Sequence, residues 1–439
     1  VFNNKSFDGG IIFKADGQPG AMPIEQLPPP PLITIPLLQH TFGTPARPIV
    51  KAGDRVSMGQ IIGESCDNAS APVHAPVSGT VTRILRDHNC PKPQAFCVQI
   101  ENDDKEEFSS PIPYDRPWME SSAEELIRKI ERSGIIDLGG KPTPLHVKLS
   151  RKGESPVRTL LVNAVADEAL LPPDYRMIIE QADNVLTGIL ICKQITGASE
   201  CLIAVNALHT GLIEVLTGRL ADAQFSTIAL VKMRTKYPLH DDNLLREIGN
   251  RVQPDQRWQP ADTLIISPMT AAWVRDAVCD LAPLYQRVVT VAGPLAATPK
   301  NLLVRIGTPM RLLLEAAGVD LTKTTRLISG SLISGSAIAD LNDPVLKSTA
   351  SLTALGTESI GMSRTCISCR ACLVSCPMRL APSRLVKLAR DEDFAELLNW
   401  NIASCIECGS CAYVCPSKIN LLHYIRHGKH LVSKETATA

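Results

Sequence analysis

Apolar and polar positions change rhythm several times along the chain, and each change marks an element. Between Ile33 and Ile100, short alternating runs are separated by Gly, Asp and Pro, as in Val50-Lys51-Ala52-Gly53-Asp54-Arg55-Val56 and His74-Ala75-Pro76-Val77-Ser78-Gly79-Thr80-Val81. A period of two bounded by turn residues predicts an all-β unit. Residues 101–118 are charged and then carry Pro111, Pro113 and Pro117, the composition of a linker. A helix follows, in which Ser121 and Glu124 have capping-box spacing, Leu126, Ile127 and Ile130 form an apolar face, and Gly134 closes it. From Thr159 to Ser267, the runs Thr159–Asn163, Leu202–Asn206, Thr227–Lys232 and Thr263–Ser267 alternate with helical patterns, the longest over Arg176–Lys193. That alternation predicts a parallel α/β sheet. Strands return at Arg287–Gly293 and Arg326–Gly330 with a helix at Met310–Ala317 between them, a length that fits a small β-grasp-like module. Helices are expected near Phe394–Trp400 and Asn420–His427.

At 439 residues the chain exceeds one ordinary domain, and 44% hydrophobic residues are ample for several cores. Lysine plus arginine (45) equal aspartate plus glutamate (45), which removes a global electrostatic basis for nucleic-acid binding. No apolar run approaches the ~18 residues needed to cross a bilayer. The chain is therefore expected not to span a membrane, while a partner can still hold it at one. It begins at Val1, which leaves a removed leader open. The first thirty residues end in Pro28-Pro29-Pro30-Pro31, which reads as an extended arm. The segments around Gly53 and Gly79 resemble the halves of a biotinyl/lipoyl-type barrel-sandwich. Such carriers project a lysine from the intervening hairpin; here that place reads Ser70-Ala71-Pro72-Val73-His74, so a structural or docking domain is expected.

The chemistry lies near the C-terminus. Cys366-x-x-Cys369-x-x-Cys372-x-x-x-Cys376-Pro377 is followed by Cys405-x-x-Cys408-x-x-Cys411-x-x-x-Cys415-Pro416, two copies of one spacing that use eight of fourteen cysteines. A tandem of this kind is the ferredoxin-type signature for two 4Fe-4S clusters, with three cysteines of each run on one cluster and the fourth on the other. Zinc knuckles would need a longer spacer between cysteine pairs. Electron transfer is the implied theme, and thiolate-ligated iron argues for a reducing compartment. The remaining cysteines (Cys66, Cys90, Cys97, Cys192, Cys201, Cys279) share no spacing and read as buried thiols. Arg364, Arg370, Arg379, Arg384, Lys387 and Arg390 make the cysteine region locally basic; they either offset cluster charge and dock an acidic carrier or form a solvated face. His40, His74 and His146 stand in unrelated contexts and read as packing or surface residues. Neither a nucleophile elbow nor a phosphate-binding P-loop is present.

Taken in order, these stretches resemble the RnfC component of the Rnf electron-transport complex over nearly the whole chain. Local matches include Phe7-Asp8-Gly9-Gly10-Ile11, the His74–Val81 run, Thr235-Lys236-Tyr237-Pro238, Ile306-Gly307-Thr308-Pro309 and Asn401-Ile402-Ala403-Ser404-Cys405-Ile406-Glu407-Cys408-Gly409. From the α/β stretch onward the chain is also similar to the cobalamin reductase of propanediol-degrading microcompartments. The resemblance implies an α+β multidomain fold: an N-terminal arm (1–32), a barrel-sandwich (33–108), an α/β FMN/NADH-type domain like the flavoprotein of complex I (119–285), a β-grasp module (286–345) and a dicluster 4Fe-4S domain (355–428). It also implies a peripheral subunit on the cytoplasmic face of the inner membrane. Its partners would be membrane subunits of an Rnf-type complex, including another iron–sulfur subunit, and ferredoxin or another electron carrier. Family members pass hydride from NADH to a flavin and relay electrons through clusters, within a complex that couples this chemistry to ion transport. Resemblance and spacing together assign Cys366, Cys369, Cys372 and Cys415 to one cluster, and Cys405, Cys408, Cys411 and Cys376 to the other.

The flavin region departs from the family pattern. Where the family has Gly-Gly-Ala-Gly-Phe-Pro-Thr, this chain has Gly139-Gly140-Lys141-Pro142-Thr143-Pro144-Leu145, and proline removes an amide donor and fixes φ. Asn-Ala-Ala-Glu-Cys-Glu-Pro becomes Asn163-Ala164-Val165-Ala166-Asp167-Glu168-Ala169, keeping Asn163 and Glu168. A Gly-Gly pair after Tyr237-Pro238 becomes His240-Asp241, followed by Asp242. Carboxylates there repel a phosphate, by on the order of a kcal/mol each. The expected pocket of Gly139, Gly140, Lys148, Asn163 and Glu168 thus reads as degenerate, binding FMN and NADH weakly or not at all, and the chain as an electron relay. Two alternatives stay open: an NADH-oxidising flavin subunit in which Lys141 and Lys148 supply the positive charge, and a soluble reductase like the microcompartment protein.

Overall fold

The computed structural model describes residues 7–12, 22–41, 43–87, 90, 92, 95–109, 117–150, 156–165, 173–234, 236–245, 262–357 and 362–438. Strand β1 (Ile24–Gln26) is followed by the strands of a sandwich: β2 (Leu32–Pro36), β3 (Arg47–Pro48), β4 (Arg55–Val56), β5 (Ile61–Glu64), β6 (Val73–His74), β7 (Gly79–Arg86) and β8 (Phe96–Asn102). They form a four-stranded sheet, β2-β8-β7-β4, facing a three-stranded one, β3-β5-β6. Alternation does what the sequence pattern requires: Ile33 and Ile35 of β2, with Val98 and Ile100 of β8, turn inward onto Ile62 and Val73 of the facing sheet.

Helix α1 (Ala123–Arg132) and short helix α2 (Leu145–Ser150) lead into the α/β domain. The capping box falls one residue later than the spacing first suggests. Ser122 Oγ accepts from Glu125 N at 3.3 Å and Glu125 returns the bond, whereas Ser121 is buried and its carbonyl accepts from Gln194 Nε2 at 2.7 Å. Next come β9 (Thr159–Ala164), α3 (Pro173–Thr196), β10 (Glu200–Asn206), α4 (Thr210–Leu220), β11 (Ile228–Met233), β12 (Thr263–Ile266) and α5 (Pro268–Cys279). The sheet order is β11-β10-β9-β12 with every pairing parallel. The middle of β9 (Leu160, Leu161, Val162) is wholly buried, as expected for a parallel strand covered on both faces.

A third sheet contains β13 (Gln286–Ala292), β14 (Lys300–Arg305), β15 (Arg326–Ser329), β16 (Ser336–Ala337) and β17 (Ser351–Leu355), with helix α6 (Met310–Ala316) packed on it through Leu313 and Leu314. This sheet takes in more of the chain than 286–345. Its order is β1-β14-β13-β17-β15-β16, so the N-terminal arm supplies one edge through β1, parallel to β14, and residues 351–355 supply an inner strand.

The C-terminal unit is helical: α7 (Ala371–Ser375), α8 (Pro382–Arg390), α9 (Phe394–Asn399), α10 (Ser410–Tyr413) and α11 (Leu421–Thr438). Helix α8 has proline in its first turn and buries Leu385, Val386 and Leu388; the sequence pattern does not predict it, and α11 runs well past His427. Cys411 and Cys415 lie in this unit's core with Leu385, Leu397 and Ile425. Outside it, Cys97, Cys192 and Cys201 are buried as expected, but Cys66 and Cys279 are exposed because their segments lie on the surface.

Candidate functional site: a cysteine cavity beside a flavin-type loop

The two cysteine runs fold alike. Left-handed backbone occurs at Ser368 and Glu407, at Arg370 and Gly409, and at Arg379 and Lys418, three pairs of equivalent positions. Only one of these six is glycine, so the loops hold conformations costing roughly 1 kcal/mol or more each, as is common where a backbone must wrap a centre. The turns aim amides at sulfur: Leu380 N donates to Cys376 Sγ at 3.4 Å, Glu407 N to Cys405 Sγ at 3.4 Å, and Ser368 N to Cys366 Sγ at 3.5 Å.

Cys405, Cys408 and Cys411 of the second run wall one apolar cavity together with Cys376 of the first, closed by Leu380 and Leu385. Burial pushes the Cys408 thiol up to about 11 and raises those of Cys376, Cys405 and Cys411 as well. Ligation of iron would require all four sulfurs to lose their protons. The other four are arranged differently: Cys366 and Cys369 are exposed, Cys372 is half-buried and Cys415 is buried. The chain beside Cys415 is tied to the start of the first run, with Arg364 N donating to Ser417 O at 2.8 Å and Ser417 Oγ to Thr365 O at 3.0 Å. Among the described residues, no three His, Cys, Asp or Glu side chains converge as a mononuclear metal site requires.

The basic residues of this region divide. Arg379 pairs with Asp8, while the guanidinium groups of Arg384 and Arg390 lie 5.6 Å and 4.1 Å from the ring centroids of Trp400 and Tyr424. Arg364 and Arg370 stand beside the exposed cysteines.

The flavin-type loop packs on the start of α5. Leu138 N donates to Thr270 Oγ1 at 2.9 Å, Thr270 Oγ1 donates to Asp137 Oδ1 at 3.1 Å, and a Cβ on Gly139 would stand 2.3 Å from Ser267 Cβ. Around Gly140 the chain's own charges fill the space. Lys148 pairs with buried Asp137 and lies 3.7 Å from Asp242 Oδ2. Asn163 Nδ2 donates to His240 O at 2.7 Å and approaches Asp242 Oδ1 at 3.4 Å. Gly139, Gly140, Lys148 and Asn163 are thus brought together, with Asp137 and Asp242 among them; Glu168 lies outside the described residues. Nothing in the sequence pattern pointed to Asp137 as Lys148's partner. A phosphate here would compete with Asp137 and Asp242 for the Lys148 ammonium, so this part of the pocket fits it poorly. Pro142 still serves a contact, since its carbonyl accepts from Thr41 N at 2.8 Å and docks the sandwich on the loop. His40, His74 and His146 are all buried; His146 Nε2 lies 3.1 Å from Asn68 O and adds a second contact to the sandwich, while His40 Nε2, within the sandwich, accepts from Ala71 N at 3.4 Å.

A β-sandwich, a flavoprotein-type α/β domain, a mixed six-stranded sheet and a helical unit with paired cysteine loops define a modular iron–sulfur electron-transfer protein. Three stretches of the chain match known families. Residues 5–105 match the RnfC barrel sandwich hybrid domain, 130–273 the Nuo51 FMN-binding domain, and 360–416 the 4Fe-4S dicluster domain. The chain is 33% identical over 434 residues to the C component of the proton-translocating ferredoxin:NAD(+) oxidoreductase complex of Clostridium ljungdahlii, covering 97% of this chain and 93% of that one. It is 34% identical over 432 residues to the C component of the ion-translocating oxidoreductase complex of Salmonella newport, covering 96% of this chain but 58% of that longer relative. The chain belongs to this RnfC family. An NAD+-reducing [NiFe]-hydrogenase in the H2-reduced state shares the fold at 14% identity, with a TM-score of 0.52 over 73% of this chain and 62% of that one.

Proposed function

We propose that this chain is the peripheral electron-transfer subunit of an Rnf-type membrane oxidoreductase, relaying electrons through two 4Fe-4S clusters. Cys405, Cys408, Cys411 and Cys376 hold the inner cluster, and Cys366, Cys369, Cys372 and Cys415 the outer one. A bound 4Fe-4S cluster supplies one-electron storage at a potential set by its surroundings. The protein's residues do the rest: buried sulfurs and sulfur-directed amides hold the inner site, and exposed Cys366 and Cys369 leave the outer site open to a partner. The observation that carries this reading is the cavity shared by Cys376 with the second run, because it joins cysteines from different copies as the crossed ligand pattern demands.

The FMN/NADH pocket is degenerate in this reading, because Asp137 and Asp242 take up Lys148's charge. Electrons then arrive from other subunits, in a complex that couples NADH/ferredoxin chemistry to ion transport. Its members are membrane subunits, another iron–sulfur subunit, and ferredoxin or a similar carrier. The place is the cytoplasmic face of the inner membrane, consistent with the lack of any helix, among the described residues, long and apolar enough to cross one. One observation favours the second reading, an NADH-oxidising flavin subunit: Cys408 lies against Tyr237, three residues from His240, so the pocket abuts the inner cluster. Metal and flavin analysis of anaerobically purified protein separates the two. About eight iron atoms and no flavin per chain are expected from two four-iron clusters; stoichiometric FMN sinks the degenerate-pocket reading.

A further inference from the structure

Residues Phe7–Ile11 are remote in sequence from everything they touch. Phe7 is buried among Leu161, Val231 and Met233 of the α/β domain, and its carbonyl accepts from Lys236 Nζ at 3.0 Å. Ile11 and Tyr237 exchange both backbone hydrogen bonds, at 3.0 and 2.9 Å. Between these anchors the segment meets the first cysteine run: Gly10 N donates to Ser375 O at 2.8 Å, and Asp8 pairs with Arg379. Gly9 has φ +77°, and a Cβ there would stand 2.6 Å from Cys376 O. No other residue type fits that approach without moving the cysteine loop.

Tyr237 reaches the second run. Its hydroxyl donates to Cys408 O at 2.6 Å from a side chain that is 1% exposed, and its ring centroid is 5.3 Å from that of His240. Cys376 and Cys408 both wall the inner cavity, yet they belong to different runs. One short segment and one tyrosine thus tie both loops to a third body.

We propose that the strap Phe7–Ile11, together with Tyr237, is the positioning element of the inner cluster. It holds the Cys376 and Cys408 loops at the separation a shared cluster needs and fixes them against the pocket of Asn163 and Asp242. Removing the Tyr237 hydroxyl leaves the Cys408 carbonyl without this donor, and the loop relaxes to find another. Cluster potential follows the hydrogen bonds and burial around the sulfurs, so that relaxation is readable.

The inference rests on the proposed ligand assignment. The test uses the full chain, reconstituted anaerobically, as wild type, Tyr237→Phe, Gly9→Val, Cys376→Ala and Cys408→Ala. Iron per chain and an EPR-monitored redox titration are the readouts. Tyr237→Phe is expected to keep its iron and shift the midpoint only of the signal that Cys376→Ala abolishes. Gly9→Val is expected to lose about half the iron together with that same signal. A Tyr237→Phe titration identical to wild type, or equal shifts in both signals, overturns the proposal. Should Gly9→Val fail to fold, Tyr237→Phe, which removes a single oxygen, decides alone. If Cys376→Ala and Cys408→Ala abolish different signals, the ligand assignment fails, whatever the strap variants do.

Discussion

Asp242→Asn should tighten FMN binding. Asp242 Oδ2 lies 3.7 Å from Lys148 Nζ and would stand 3.0 Å from a Cβ on Gly140, so it occupies the space where the loop's glycines would receive a phosphate. Two unit charges about 4 Å apart interact by about 4 kcal/mol at an effective dielectric of 20. The Asp242 side chain is 21% exposed, and solvent screening brings the usable part to about 1–2 kcal/mol. Since 1.4 kcal/mol is tenfold, neutralising this one carboxylate should lower the FMN dissociation constant about 5- to 30-fold. Asparagine keeps the shape and an acceptor for Asn163, so the loop should not rearrange. The assay is flavin-fluorescence quenching on titration with protein, at low and high salt. Equal affinities for wild type and variant at low salt would refute an electrostatic cause for the proposed weakness of this pocket.

Other perturbations report on the remaining elements. Cys376→Ala and Cys408→Ala should abolish the same one of two EPR signals, while Cys366→Ala abolishes the other. Gly188→Ala should destabilise the α/β domain by about 1–3 kcal/mol, because the new Cβ would lie 1.8 Å from Ala271 O where α3 crosses α5; denaturant unfolding measures it. Ser122→Ala should cost about 1 kcal/mol by the same method, while Ser121→Ala leaves the cap intact. Burial raises the Asp174 carboxyl to about 6 from its ordinary 3.8. The folded state therefore binds the extra proton, and this group's contribution is full below about pH 4 and lost as pH rises through 6. Over that window it amounts to on the order of 2–3 kcal/mol. Asp174→Asn should flatten that part of the stability–pH curve, measured at pH 5 and 7.

The paired cysteine loops were legible because their spacing is local: two of the three left-handed turns in each fall between its own cysteines and the third just after the last. The α/β strands were legible for a similar reason, since a strand buried on both faces must be apolar throughout. What stayed hidden depends on distant partners. Ile24–Gln26 has no periodicity and is a strand only because β14 offers it an edge. Two serines and two glutamates in Ser121-Ser122-Ala123-Glu124-Glu125 allow two capping registers, and burial of Ser121 under Gln194 decides between them. The residue pattern could show that glycines of the flavin loop were replaced, but not that Asp137 would pair with Lys148, because that contact exists only once α2 folds back on the loop. Phe7–Ile11 matched a family motif while its contacts stayed invisible, because they lie far along the chain, at Tyr237, Ser375 and Arg379.

The proposed pairing of two cluster sites with a degenerate flavin pocket is tested most directly by mixing the anaerobically reconstituted chain with NADH and following visible absorbance, with dithionite as the control. Dithionite should bleach the clusters, and NADH should leave them oxidised over the same interval. Rapid bleaching by NADH would contradict the account.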